Sequence, residues 1–342
     1  GTIDWYNKVS RDLLMEQMTP LELGSSTGAM MNNVGKVKNT GLEIALTTTN
    51  VQTKNFFWST TFSFSTNKNE ILELNGGKED LVANKWFIGQ PIDVLYDYEY
   101  DGVCTAEEAK AYASNSAIKT KFIEGEMKIK DQQQPGQEGY GVIDENDLVV
   151  LGHALPTWSG SISSNMTYKN FDFSFSIYTK QGCKVASPFM AEFTNYKDRG
   201  RNKLKMDYYI PAGTPVLNAD GKGYTLTTET HYGSYPYPTN TGSNNYGGGI
   251  GWGTDKQTTY ASNSYADNSF WKVKNITLGY TFPKTWMSKL GVESLRLYVN
   301  ILNPFTFTDY KGFDPEWADA KLNDGTGGPS SRTYQVGVNL KF

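Results

Sequence analysis

The end of the chain alternates apolar and polar side chains without a fault over residues 332–342. The apolar face carries Tyr334, Val336, Val338, Leu340 and Phe342. Such a period of two predicts a β-strand with one apolar face. Eight steps of about 3.3 Å, tilted by about 40°, cover roughly 20 Å, which is close to the roughly 25 Å apolar band of a membrane-spanning strand. An aromatic residue stands at each end of this span.

The same alternation recurs upstream in five segments, 42–47, 56–65, 158–168, 171–178 and 295–301. Residues 271–282 also alternate, but their phase slips near Lys274, which predicts a β-bulge. With residues 2–9 and a following segment, we count about nine spanning strands. Two more are possible near residues 94–103 and 122–130. Thr105 and Glu108 form a capping box, which predicts a helix over residues 109–113.

Short and long connections alternate strictly between these strands. Short ones are predicted at Ser10-Arg11, at 51–54, at Lys169-Asn170, where Asn accepts a left-handed backbone, and at 283–292. Long ones cover about 20–35, 66–156, 182–267 and 304–330. Outer-membrane barrels show this pattern, with short periplasmic turns and long extracellular loops. A soluble β-sandwich gives no reason for it. The prediction is an all-β fold, part of an antiparallel transmembrane β-barrel.

The amino-acid composition further limits the class of protein. The formal charge of −4 argues against a nucleic-acid partner, and 22 Tyr, 17 Phe, 8 Trp and 34 Gly favour strands and turns. Cys104 and Cys183 are too few for a disulfide scaffold, and whether they pair is left open. The two histidines, His153 and His231, stand apart from any nucleophile or metal-ligand pattern. We therefore predict no catalytic residue and no enzyme activity.

Six segments, in order, resemble the SusC/RagA family of TonB-linked outer-membrane proteins. Residues 33–44 read Asn-Val-Gly-Lys-Val-Lys-Asn-Thr-Gly-Leu-Glu-Ile, and residues 310–316 read Tyr-Lys-Gly-Phe-Asp-Pro-Glu. The others are 4–14, 152–156 with 168–172, 269–280 and 303–305. Gly35 and Gly41 suit a left-handed loop entry, and Pro304 and Pro315 are expected to stop strand pairing.

The resemblance implies that residues 1–342 are the C-terminal part, about nine to eleven strands, of a plugged barrel of about 22 strands. The plug domain and signal peptide are not in this sequence. A member of this family imports oligosaccharides or peptides across the outer membrane of a Bacteroidetes-type Gram-negative bacterium. Its expected partners are a SusD-like surface lipoprotein, TonB acting through the plug, the barrel-assembly machinery and outer-membrane lipid. A dimer of SusC–SusD units is a further expectation from the resemblance. The alternatives are a structural or adhesive barrel without transport, or a secreted glycan-binding protein.

Candidate binding residues lie in the long connection 182–267, which is rich in aromatic side chains. We single out Tyr235, Tyr237, Tyr246 and Trp252 as ligand-binding candidates. Sugar rings pack on such side chains, protein partners also use them, and the rings could equally pack on one another. These three explanations stay open.

Polar residues on the inner face of the strands, such as Glu43, Arg296 and Lys341, would face the plug. Phe342 resembles the terminal aromatic that the barrel-assembly machinery reads, and it also suits the interface girdle. Many relatives carry a calcium-like loop, of which Gly141, Asp144 and Asp147 remain here. The two aspartates are weak calcium candidates, and a solvated loop is the alternative. No other cofactor is expected.

Overall fold

The computed structural model describes residues 1–18, 29–115, 124–125, 127–187, 189–190, 205–236, 265–318 and 329–342. Within them, one antiparallel sheet of eight strands dominates. We call it the wall. In spatial order its strands are β1 (Thr2–Met18), β2 (Ala29–Gln52), β3 (Phe56–Glu73), β8 (Trp158–Tyr168), β9 (Phe171–Gln181), β14 (Phe270–Thr281), β15 (Ser294–Phe307) and β16 (Thr333–Lys341).

The connections form small two-stranded sheets of their own. These pair β4 (Val94–Tyr98) with β7 (Leu148–His153), β5 (Tyr100–Val103) with β6 (Met127–Ile129), β10 (Lys184–Ala186) with β13 (Tyr265–Asp267), and β11 (Pro215–Leu217) with β12 (Tyr224–Leu226). The helices are α1 (Ala106–Asn115) and α2 (Lys284–Met287). In the described parts of the chain, neither is long and apolar enough to cross a membrane.

The capping box of α1 is confirmed. The backbone N–H of Thr105 donates to Glu108 Oε2 at 2.9 Å, and the N–H of Glu108 donates to Thr105 Oγ1 at 3.2 Å. These two bonds satisfy amide groups that the first turn of a helix leaves without partners. The helix starts earlier than the predicted 109–113 because the capping residue, not the first alanine run, sets its N-terminus.

The wall has eight strands in the described residues, not nine to eleven. The predicted turn at Ser10-Arg11 is wrong, because β1 continues through it with a register shift between Ser10 and Leu13 and a left-handed Asp12. Such an irregularity is a β-bulge, and from the sequence alone a β-bulge cannot be distinguished from a two-residue turn. Residues 94–103 and 127–129 do form strands, but in the small sheets outside the wall. Without that turn, short and long connections still alternate.

The two faces of the wall follow the predicted alternation. One row across four strands consists of Phe173, Leu278, Val299 and Val336, which are direct register partners. Their face is open, with Val336 81% exposed. Exposure of such a surface to water would cost free energy, whereas contact with the hydrocarbon core of a membrane would not. We call it the apolar face and the opposite one the lumen face.

Two local predictions turn out differently, and the predicted bulge is confirmed. The register of β14 shifts between Val273 and Asn275 against both neighbours, so Lys274 is the extra residue. In the turn after β8, Lys169 rather than Asn170 is left-handed, with φ of 52°. The Asn170 side chain instead donates to the Thr281 carbonyl at 2.7 Å. Pro304 does not end β15, which continues pairing with β14 up to Phe307.

Gly41 is required by two close neighbours rather than by its backbone conformation. It has no positive φ, and neither has Gly35. A Cβ on Gly41 would lie 2.4 Å from the Thr66 carbonyl oxygen and 2.4 Å from the hydroxyl of Tyr6, its cross-strand partner. The aromatic ring therefore covers the glycine, an arrangement that shields the exposed backbone of a strand.

Candidate functional site

An ion pair on the lumen face lies toward the end of the wall where the short turns are. Arg296 Nε donates to Asp172 Oδ1 at 2.9 Å, and a second bond joins the other guanidinium nitrogen to Oδ2. This bidentate geometry suits the planar guanidinium. The pair crosses β14 above Gly279, where a Cβ would lie 2.4 Å from Asp172 and 2.6 Å from Arg296. Gly279 thus leaves the space through which the two side chains meet.

Neighbouring groups extend this arrangement to β16. The Arg296 guanidinium lies 5.0 Å from the ring centre of Tyr298, and that ring covers Gly337. Lys341 pairs with Glu293 at 2.7 Å, and Glu43 lies opposite Asp4 in the register. Of the three predicted plug-facing charges, Arg296 and Lys341 therefore have acidic partners within this chain. Their role toward a plug stays a prediction.

A buried ionic cluster fastens the β15–β16 connection to the wall at the opposite end. Lys272 Nζ donates to Asp314 at 2.6 Å and to Glu316 at 2.8 Å, and Glu316 also accepts both bonds from Lys274 at 2.9 Å. Lys272 is 1% exposed. We call these four residues the clamp. Two positive and two negative charges balance, as a buried site requires.

The bulge in β14 and the motif at 310–316 together explain the clamp. Lys272 and Lys274, which stand two positions apart at the bulge, both reach Glu316. Asp314 accepts a bond from the Glu316 N–H and so begins a short 3-10 turn with Pro315 at its first position. Burial would raise the pKa of Asp314, but its bonds to Lys272 and Ser330 hold that pKa below the usual value.

The same connection packs against the one between β9 and β14. Tyr310 is buried with Val185 and Ala318, and its hydroxyl shares a 2.8 Å hydrogen bond with Ser187. The rings of Phe189 and Phe313 meet edge to face, with centres 4.5 Å apart. The sequence predicted none of these contacts between the two connections, because they join residues more than a hundred positions apart.

Tyr235 lies within a group of packed rings. Its ring centre is 6.2 Å from that of Tyr100 and 6.3 Å from that of Tyr208, and burial raises its pKa to about 12. The Tyr100 hydroxyl donates to the Ser234 carbonyl at 2.7 Å. At this residue the structure thus shows rings packed on one another. Tyr237, Tyr246 and Trp252 lie outside the described residues, and ligand binding by all four candidates stays a prediction.

The calcium candidates are engaged with backbone amides. Asp144 accepts from Asn146 N–H at 2.8 Å, and Asp147 accepts from Gln132 and Asp144 N–H, both at 2.7 Å. With its amide nitrogen turned toward the acids, Gln133 also donates to Asp147 at 3.0 Å. Within the described parts of the chain, no group of three or more metal-ligating side chains is brought together. Calcium binding stays a prediction.

The remaining singled-out side chains are separate from these sites. Cys104 and Cys183 are buried and are not joined by a disulfide. His153 Nδ1 lies 2.5 Å from the Leu155 carbonyl oxygen, and His231 Nε2 lies 2.7 Å from Asp207 Oδ1. Phe342 is 85% exposed at the end of β16, on the apolar side, so the structure leaves its predicted roles in assembly and at the interface open.

Comparisons with known proteins cover the whole chain. No protein-family model matches it. It is 27% identical over 368 residues to TonB-dependent receptor P3 of Formosa agariphila, covering 100% of this chain and 32% of the relative. It is 26% identical over 353 residues to TonB-dependent receptor SusC of Bacteroides thetaiotaomicron, covering 100% of this chain and 30% of the relative.

The fold agrees with these sequence matches. A solved structure of the RagAB peptide transporter superimposes with a TM-score of 0.65 at 21% identity, covering 99% of this chain and 33% of that one. At that identity the likeness shows the fold alone, which is the wall of a TonB-dependent receptor barrel. The chain spans about a third of the length of the curated relatives that it matches. Together, the named relatives and the shared fold support its identification as a SusC/RagA-type TonB-dependent receptor fragment.

Proposed function

We propose that this chain is part of the barrel wall of an outer-membrane importer that takes up nutrients with energy supplied through TonB. The observation that carries the proposal is the match of the whole chain to 32% of a TonB-dependent receptor, which coincides with a wall that has one apolar and one polar face. Import would consist of binding and energised gating without covalent chemistry. The wall supplies the path, and a plug outside this sequence would supply the gate.

We propose oligosaccharides as the cargo, with peptides as the alternative. The oligosaccharide cargo rests on the resemblance of the sequence to the SusC/RagA family, and the peptide alternative rests on the likeness to the RagAB peptide transporter. The proposed partners are a SusD-like surface lipoprotein at the outer mouth, TonB at the plug, and outer-membrane lipid along the apolar face. Pairing of two SusC–SusD units as a dimer is part of the same proposal. The location is the outer membrane of a Bacteroidetes-type bacterium.

Gentle detergent extraction of the native protein, followed by mass spectrometry of co-purifying chains, tests the assembly. We expect a plug-bearing segment and a SusD-like lipoprotein in the same complex. Uptake of labelled oligosaccharides and peptides by energised and by energy-depleted cells then tests import. A complex with neither companion, in cells whose uptake does not depend on the protein, would instead indicate a structural or adhesive barrel.

Phe342 offers a separate test of barrel assembly. We propose that the barrel-assembly machinery reads this exposed terminal ring. Changing Phe342→Ala in the full-length protein should lower the amount at the cell surface, while Phe342→Tyr, which keeps the ring, should restore it. Equal surface amounts for all three proteins would contradict the assembly role.

A further inference from the structure

A row of aromatic rings borders the apolar face at the end of the wall where the short turns are. Neighbouring ring centres are 4.7 to 6.5 Å apart, and one step is made by the register partners of the β8–β9 hairpin. Tyr168, Phe171 and Trp286 are each more than half exposed. Such rings suit the level at which a membrane changes from hydrocarbon to headgroups. We call this set the ring row, and it consists of Phe56, Tyr168, Phe171, Tyr280, Phe282 and Trp286.

Four exposed lysines lie in the turns just beyond the ring row. Backbone hydrogen bonds place these turns side by side. The N–H of Lys169 donates to the Asn55 carbonyl at 2.8 Å, and the N–H of Thr281 donates to the Asn170 carbonyl at 2.8 Å. The lysines therefore follow the end of the wall from one turn to the next. We call them the basic rim, and they are Lys54, Lys169, Lys284 and Lys289.

The acidic side chains near the rim are already paired with other residues. In residues 50–56, 168–172 and 281–294, the acidic side chains are Asp172 and Glu293. Asp172 binds Arg296 on the lumen face, and Glu293 binds Lys341 at 2.7 Å. At the opposite end of the wall, by contrast, the lysines of the clamp pair with carboxylates of the chain itself. The basic rim therefore presents an excess of positive charge to its surroundings.

The side chains of the rim and of the ring row also contact one another. The Lys169 amine lies 5.4 Å from the ring centre of Tyr168, so the lysine stem runs along the aromatic ring. In α2, Met287 is 5% exposed and holds the turn against the wall, while Trp286 is 57% exposed and joins the ring row. Lysine stems can lie on an apolar surface while their amines reach a phosphate group. One surface thus combines apolar contact with positive charge.

We propose that the basic rim and the ring row bind anionic glycerophospholipids. The lipid phosphates contact the lysines, and the acyl chains lie against the apolar face. Complementary charge selects this occupant, because a zwitterionic headgroup carries an ammonium group that cancels the charge of its phosphate. The inference rests on the proposed function, in that the wall must lie in a membrane, and it adds the lipid class and the surface that recognises it. In the alternative, the same lysines only face water.

The test uses the full-length protein, purified in detergent and incubated with equal amounts of phosphatidylglycerol and phosphatidylethanolamine. Native mass spectrometry then counts the retained lipids of each class. The test variant combines Lys169→Gln, Lys284→Gln and Lys289→Gln. A second variant changes the same three lysines to arginine, which keeps the charge.

A matched control removes the same charge elsewhere. It combines Lys78→Gln, Lys110→Gln and Lys222→Gln, which are exposed lysines in the connections beyond the wall. Heat-dependent mobility in gels verifies that every variant contains a folded barrel. The wild type is also measured at rising salt concentration, which tests the role of charge without any mutation.

We expect the wild type to retain phosphatidylglycerol several-fold over phosphatidylethanolamine, with a preference that falls as salt rises. The glutamine variant of the rim should lose the preference, and the arginine variant and the control should keep it. Equal retention of both lipids by the wild type, a preference that salt does not change, or an unchanged preference in the glutamine variant would overturn the proposal. Displacement of the lipid by excess inorganic phosphate would indicate a site for free anions and would also overturn it. A full-length protein that is extracted without detergent would instead defeat the proposed function.

Discussion

The wall and the connections beyond it are held together in different ways. In the wall, the strands pair in chain order along one sheet, so long continuous backbone ladders set the structure. In the connections, strands of three to six residues form separate two-stranded sheets, and side chains such as Lys272 and Asp314 fasten one segment to another. The wall should therefore tolerate side-chain changes that leave the pattern intact. The connections should depend on a few specific contacts.

The strongest test of this difference is removal of the central cation of the clamp. Lys272→Met leaves Asp314 buried without its counter-charge, and breaking a buried pair in this way costs about 3–5 kcal/mol. We expect residues 308–318 and 329–332 to lose protection from hydrogen exchange and protease in the full-length protein, while the wall remains folded. Lys274→Met is the control with a smaller effect, since Glu316 keeps its bond to Lys272. Equal effects of the two variants would contradict the central role of Lys272.

The corresponding mutation in the wall tests a close contact on the lumen face. Gly279→Ala would push a methyl group against Asp172 and Arg296, and overpacking of this kind costs about 1–3 kcal/mol. Denaturant unfolding of the purified full-length protein measures this loss of unfolding free energy. In a background with Asp172→Ala and Arg296→Ala, the same methyl group has space, so most of the cost should disappear. An undiminished cost would show that the glycine is needed for its backbone rather than for the ion pair.

The same contrast decides what could be predicted from the sequence. The strands of the wall were predictable because alternation at positions such as Tyr334 to Phe342 is a local signal. The bulge at Asp12 resembled a turn because both interrupt the alternation, and only pairing with β2 distinguishes them. The clamp was missed since Lys272 and Asp314 look like ordinary solvated charges until β14 and the last connection come together. One available signal was the phase slip at Lys274, which marked the place but not the partner.

Acidification offers a milder way to weaken the clamp than mutation. Burial alone would raise the pKa values of Asp314 and Glu316, but the bonds and charge of Lys272, together with the other donors to each carboxylate, hold both pKa values below their ordinary 3.8 and 4.5. A lowered folded-state pKa means that the stabilisation is complete above the ordinary value and is lost as pH falls through the folded-state pKa. Protection of residues 308–318 and 329–332 should therefore be constant from neutral pH to about 4.5 and fall only in stronger acid. Loss of protection near pH 6 would contradict this assignment.

The smallest expected effect concerns a polar contact on the apolar face. Trp58 Nε1 donates to Ser164 Oγ at 2.9 Å, and Ser164 lies 3.5 Å from the Ser59 carbonyl oxygen. Hydrogen bonds between side chains in a membrane contribute about 0.6 kcal/mol on average. Ser164→Ala should cost more than Trp58→Phe, because it leaves the indole N–H without its partner, whereas the serine keeps the Ser59 carbonyl. A double-mutant cycle on the full-length protein gives the coupling. A coupling energy near the about 3–5 kcal/mol expected for the clamp would remove the contrast between wall and connections. The wall too would then depend on single side-chain contacts.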